Sequence, residues 1–106
     1  MGKSSDIGPG LKYDEGKPRM GLLPFKALRE VAQVLTFGAA KYRANNWQKI
    51  EHSRYIDALL RHIGAYLDGE DLDPESGLHH LAHASCNTLF LLWQVLTNGP
   101  QDKFGN

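Results

Sequence analysis

The sequence predicts an all-α fold: a small helical bundle of three main helices with an extended Gly/Pro-rich N-terminal arm. Three observations carry this. Apolar residues recur at three- and four-residue spacing in three separate segments. Clusters of glycine, proline and asparagine punctuate the chain between them. No segment shows the apolar/polar alternation of a half-buried strand.

The 106 residues form a single domain over 1–106, with residues 1–23 an irregular arm and 98–106 a tail. The arm holds Gly2, Gly8, Gly10, Gly16 and Gly21 with Pro9 and Pro18, too many breakers for a regular element. A first helix is expected over 24–42, because Pro24 suits a first helical position and Phe25, Leu28, Val31 and Leu35 follow at helical spacing. Gly38 weakens it without ending it, and Asn45-Asn46-Trp47 reads as a loop. Ser53 is a good N-cap for a second helix over 53–68, whose stripe is Ile56, Leu59, Leu60, Ile63 and Leu67, with Gly69 as its stop. An acidic loop, 69–77, leads to a third helix over 78–97. Its buried face is expected at Leu81, Leu89, Leu92 and Leu96, and Asn98-Gly99-Pro100 ends it.

Composition narrows the function. Hydrophobic residues are 42% and charged residues 23% of the chain, ordinary for a soluble globular protein. Cys86 is the single cysteine, so an intrachain disulfide and an all-cysteine zinc site are excluded. The apolar run Leu89–Trp93 is too short to span a membrane. Residues 1–5 lead into no apolar block, so a secretory signal is not expected and a cytoplasmic location is. Zero net charge argues against a nucleic-acid partner, whose affinity needs many phosphate contacts. The charge is nonetheless split: residues 1–61 hold eleven of the twelve Lys/Arg and six of the twelve acids, and residues 62–106 hold the rest. That division suits a small anionic ligand carrying a cation. A core this small is expected to be completed in a homo-oligomer.

Four of the five histidines fall between positions 62 and 83. At 100° per residue His80, His83 and Asn87 share one stripe of the third helix, away from its leucines. Asp57, Arg61, Gly64 and Asp68 form a matching stripe on the second helix, and the acidic loop offers Asp73 or Glu75. Carboxylates facing imidazoles make a site for a divalent cation; the same groups also suit a buried hydrogen-bond network. Two familiar zinc motifs are absent. His79 and His83 have zinc-protease spacing, but His80 stands where that motif needs glutamate, and no histidine is followed by aspartate. In the N-terminal half, Lys17 and Lys41 offer phosphate contacts, and Asn46 and Trp47 offer an amide and an aromatic face to a base. Trp47 equally suits a plug at the bundle end.

Five blocks in order then show a likeness: Lys12–Arg19, Gly38–Tyr42, Asn46-Trp47, Arg54–His62 and Glu75–Asn87. Together they resemble the dATP/dGTP diphosphohydrolase N-terminal domain family of phages and prophages, distantly similar to the all-α MazG-like pyrophosphohydrolases. The resemblance implies metal-dependent hydrolysis of a purine deoxynucleoside triphosphate to the monophosphate and pyrophosphate, in the host cytoplasm. It implies a small-molecule nucleotide as partner, and magnesium or manganese as cofactor. The MazG-like motifs pair glutamate with glutamate and glutamate with aspartate; here His80-Leu81-Ala82-His83 has the second spacing with imidazoles in place of the acids. Imidazole admits zinc, iron or nickel as well. On this reading Asp57, Glu75, His80 and His83 gather the cation. Arg61, Lys41 and Lys17 meet phosphate charge, Asn87 orients His83 or a water, His62 stands behind the ligands or at a subunit contact, and Asn46 and Trp47 meet the base. The rival reading is a non-catalytic phage module that binds a nucleotide or a host protein.

Overall fold

The computed structural model describes residues 15–105; residues 1–14, most of the expected arm, lie outside them. Among the described residues the fold is all-α, with three helices packed together and no strand. Helix α1 spans Phe25–Lys41, α2 His52–Leu67 and α3 His80–Asn98, within two residues of the boundaries expected from sequence. Short 3₁₀ turns occupy Met20–Leu22 and Asn46–Lys49.

Each boundary has a local cause. The Pro24 carbonyl accepts the first amides of α1, from Ala27 and Leu28, both at 3.0 Å. Helix α1 runs through Gly38 and ends at Tyr42. Asn45 then takes a left-handed conformation (φ 65°), which asparagine tolerates better than most residues, and the chain turns into α2. That helix is capped by Glu51 rather than Ser53, which lies within its first turn; the Glu51 side chain makes no cap bond. Its C-terminus closes in a Schellman motif. Gly69 (φ 98°) donates to Tyr66 O and Glu70 to Ala65 O, each at 3.0 Å. Helix α3 opens with the His79 ring accepting from Leu81 N at 3.0 Å. It ends at Gly99 (φ 80°).

Helix α3 is the hub: α1 and α2 each pack on it far more than on one another. The α1 contact is made by Val31 and Val34 against Ala82 and Cys86, with Leu78 and Phe90 alongside. Small residues on α3 let the backbones approach, and the Cys86 thiol donates to Val31 O at 3.4 Å. Burial pushes that thiol up to about 11, so it is an inert packing group. At the α2 end, Trp47 stacks on Phe90 (centroids 4.6 Å, 12°) and meets Trp93 edge-on at 4.9 Å. Tyr55 donates to Trp47 O at 2.5 Å and leans on Phe90. Gln94, 3% exposed, joins His52 Nδ1 at 2.7 Å and donates to Ile50 O at 2.8 Å.

The face expected of α3 is turned outward, and those of α1 and α2 are covered only in part, with Val31 buried and Leu28, Ile56, Leu59 and Ile63 half-buried. Leu81, Leu89, Leu92 and Leu96 of α3 are exposed in the single chain, as are Phe25, Leu35, Leu60 and Leu67. The inward side of α3 carries His80, Ala82, Ala84, Cys86, Asn87 and Gln94. The Tyr55–Trp47 bond and the aromatic stack fix the rotation of α2, and close packing on Ala82 and Cys86 fixes that of α1. Neither constraint is visible in apolar periodicity.

Removing the Gln94 amide strands the Ile50 carbonyl and the His52 ring nitrogen. Gln94→Ala should cost about 1–3 kcal/mol, read by urea denaturation; a variant as stable as the parent would remove this network from the account.

Candidate functional site: a histidine–carboxylate cluster

The site forms where α2, the acidic loop and the start of α3 converge. The loop is rigidly folded on itself. Asp73 N donates to Leu78 O (2.8 Å) and Gly77 N to Asp73 O (2.7 Å), with Gly77 at φ 73°. The Asp73 carboxylate accepts from Ser76 N at 2.9 Å, an Asx turn, and the Ser76 hydroxyl accepts from Leu78 N. A bridge between Leu72 and His79 closes the base, and His80 N donates to Asp71 O at 2.8 Å.

His62 of α2, Asp73 of the loop and His80 of α3 each bring a ligand-type atom to one place, all within 4.8 Å of one another. His80 is 4% exposed. Its Nε2 lies 2.7 Å from Glu70 Oε1 and its Nδ1 lies 2.8 Å from His62 Nδ1. An ionised carboxylate only accepts, so Nε2 carries the proton. With its proton at Nε2, a neutral His80 ring has its lone pair at Nδ1, where it accepts from His62 Nδ1–H and where a cation would replace that proton. A carboxylate behind a histidine is the usual outer support of a metal-binding imidazole. His83 stacks on His62 (centroids 4.5 Å, 9°). Its Nε2 lies 2.7 Å from Ser76 Oγ and 3.8 Å from Asp73 Oδ2.

Burial lowers His62, and the neighbouring His83, His80 and Arg61 add to this against the opposing pull of Asp73. Burial likewise lowers His83, with His80 adding to it and Asp73 opposing. For Asp73 burial acts upward, but the Ser76 amide and hydroxyl and the two histidines outweigh it, so its carboxyl sits below the ordinary value. At neutral pH His62 and His83 are thus uncharged and Asp73 is ionised, the donor states a divalent ion requires. Donors around a tetrahedral ion with bonds of about 2.1 Å stand about 3.4 Å apart, inside the 4.8 Å that bounds this group. The donor set fits a first-row transition ion better than magnesium.

Of the residues nominated from sequence, the structure brings His62, His80 and His83 together. Asp57 and Arg61 lie exposed on α2, outside the group, and Asp73 supplies its carboxylate. Glu75 instead pairs with Lys41, whose ammonium also lies 5.1 Å from the Tyr42 ring centroid. Asn87 is buried and donates to the His83 carbonyl at 3.1 Å, holding helix backbone rather than the imidazole. Lys17 and Asn46 are exposed. Trp47 sits in the aromatic plug, about 10 Å or two helical turns along α3 from His83. Glu70 and Ser76 were not singled out from sequence. The available signal for Glu70 was its position just past the Gly69 stop, where a Schellman motif holds it.

A family model for "dATP/dGTP diphosphohydrolase, N-terminal" matches residues 7–103. The chain belongs to this family. A dATP/dGTP diphosphohydrolase of Salmonella phage PMBT28 is 41% identical to it over 91 residues, which is 86% of this chain and 31% of that protein. The chain therefore spans less than a third of the relative's length. No solved structure matches it. The family match runs through α1, α2, the acidic loop and α3, so every residue of the cluster falls inside it. Among the described residues no helix is long and apolar enough to cross a membrane.

His62 and His83 hold protons less tightly when folded than at the ordinary value of 6.5. Above that pH both rings are neutral in the folded and unfolded chain alike. Below it the unfolded chain takes up protons first, so stability falls until the folded rings titrate too. Urea midpoints measured with a chelator present should drop between about pH 7.5 and 5.5, and less so in His83→Gln. A flat profile for the parent would contradict the burial described here.

Proposed function

We propose that this domain hydrolyses a purine deoxynucleoside triphosphate, dATP or dGTP, to the monophosphate and pyrophosphate, with a divalent cation held by His62, Asp73 and His80. The observation that carries the reading is the convergence of two imidazoles and a carboxylate inside the segment that matches the family. A cation there would polarise phosphate oxygens and acidify a bound water; manganese, zinc, iron or nickel suits the donors, and magnesium less so.

The chain's own residues supply the rest. Water attacks the α-phosphorus, the bond from that phosphorus to the bridging oxygen breaks, and pyrophosphate departs. His83, neutral at pH 7 and next to Ser76 and Asp73, is placed to take the water's proton. Lys41 at the end of α1, with Lys17 and Arg61, meets phosphate charge. Asn46 and Trp47 remain the base-binding part of the proposal. Glu70 fixes the His80 tautomer.

The second reading, a nucleotide-binding or host-protein-binding module without chemistry, has one observation in its favour. The His62–His80–Glu70 contacts also form a closed hydrogen-bond chain with no ion.

Incubation with each nucleoside triphosphate plus Mg²⁺, Mn²⁺ or Zn²⁺, with the products resolved, separates the readings. Monophosphate with pyrophosphate is expected, and His80→Ala or Asp73→Asn should lower kcat by about 100-fold or more while leaving the far-UV spectrum helical. Diphosphate with phosphate, or nucleoside with triphosphate, would replace the reaction proposed. No turnover with any metal would favour the module.

A further inference from the structure

Helix α3 contains no Asp, Glu, Lys or Arg over its 19 residues, yet one side of it faces outward. A helix side in contact with water ordinarily carries charge, and a helix without charge all round is ordinarily covered all round. The outward side is ordered. Leu81, Ser85, Thr88, Leu92 and Val95 follow one another at intervals of four, three, four and three, the spacing of a helix-pairing seam. Leu89 and Leu96 flank it on one side. Leu81 is 38%, Leu89 47%, Leu92 53%, Val95 44% and Leu96 76% exposed.

We propose that this seam is the contact surface for a second copy of the chain, with the two α3 helices packed antiparallel across a twofold axis near residue 90. Four features favour a copy of the same chain. First, the seam is self-complementary when reversed. An axis at residue 90 overlaps the two helices almost end to end and sets Ser85 against Val95 and Thr88 against Leu92, small against large in each layer. Second, the two seam hydroxyls are already satisfied within their own helix. Ser85 Oγ donates to Leu81 O at 2.8 Å and Thr88 Oγ1 to Ala84 O at 3.1 Å, so burying them strands no donor. Third, the seam is uncharged and the chain has zero net charge, so two copies meet without repulsion. Fourth, the area is right. The five apolar side chains offer on the order of 400 Å², close to the apolar share of the ~800 Å² per partner in a stable interface. Within one chain, moreover, no large side chain among the described residues falls below 2% exposure, the mark of a core left incomplete.

Sedimentation of the full chain at micromolar concentration should show a dimer whose melting temperature rises with concentration. Leu92→Glu puts a charge into the seam and should weaken the dimer at least about 100-fold, giving a monomer that remains helical by circular dichroism. Should Leu92→Glu not fold, mixed Ser85→Cys and Val95→Cys protomers decide the matter. They should form a disulfide with each other under mild oxidation, in preference to Ser85→Cys with itself. A parent that sediments as a monomer, a Leu92→Glu protein that stays dimeric, or the absence of the mixed disulfide would overturn the proposal.

Discussion

The His80 imidazole is held from both sides, by the Glu70 carboxylate at Nε2 and by His62 at Nδ1, and most of the site's geometry follows from that. His80 is the first residue of α3, Glu70 the third residue past the end of α2, and His62 lies in α2's last turns. One buried ring therefore ties the two helices and both ends of the loop between them. The backbone repeats the tie, with His80 N on Asp71 O and Leu72 paired to His79. A loop so fastened delivers Asp73 and Ser76 to fixed positions beside His83. The cluster thus rests on rigid helix ends rather than on a free loop, the arrangement that holds catalytic groups in place.

The second constraint is the composition of α3. Its inward arc serves two neighbours at once: alanine and cysteine toward α1, imidazole, amide and aromatic groups toward α2 and the turn before it. Small residues allow close helix contact, and polar residues inside a bundle are where ligands are placed. With that arc occupied, the leucines are left facing out. The polar interior and the apolar exterior are then two consequences of one helix that packs on several sides.

Much of this was legible in the sequence. Helix positions follow from Pro24, Gly69 and Asn98-Gly99-Pro100, because capping and breaking are local. The polar stripe of His80 and His83 follows from helical geometry. Facing was harder to read. Of the apolar stripe on α2, Ile56, Leu59 and Ile63 are half-buried but Leu60 and Leu67 are exposed, while Tyr55 and His62 turn inward although a tyrosine and a histidine score poorly as core. Their hydrogen bonds, to the Trp47 carbonyl and to His80, are what bring them in. The choice of Asp73 over Glu75 depends on the Asx turn at Ser76 and on the pairing of Glu75 with Lys41. Both are contacts between residues whose proximity only the folded loop creates.

The family match places the chain among diphosphohydrolase N-terminal domains, and the cluster gives that match a location. Its defining feature is an imidazole-rich donor set where a magnesium enzyme would carry carboxylates alone. The most direct measurement is anomalous scattering from a crystal soaked in Mn²⁺, recorded near the manganese absorption edge. One strong peak is expected about 2.1 Å from ring nitrogens of His62 and His80 and from an Asp73 oxygen. A peak at Asp57 or Glu75 instead, or no peak with the His62–His80 contact intact, would contradict this placement.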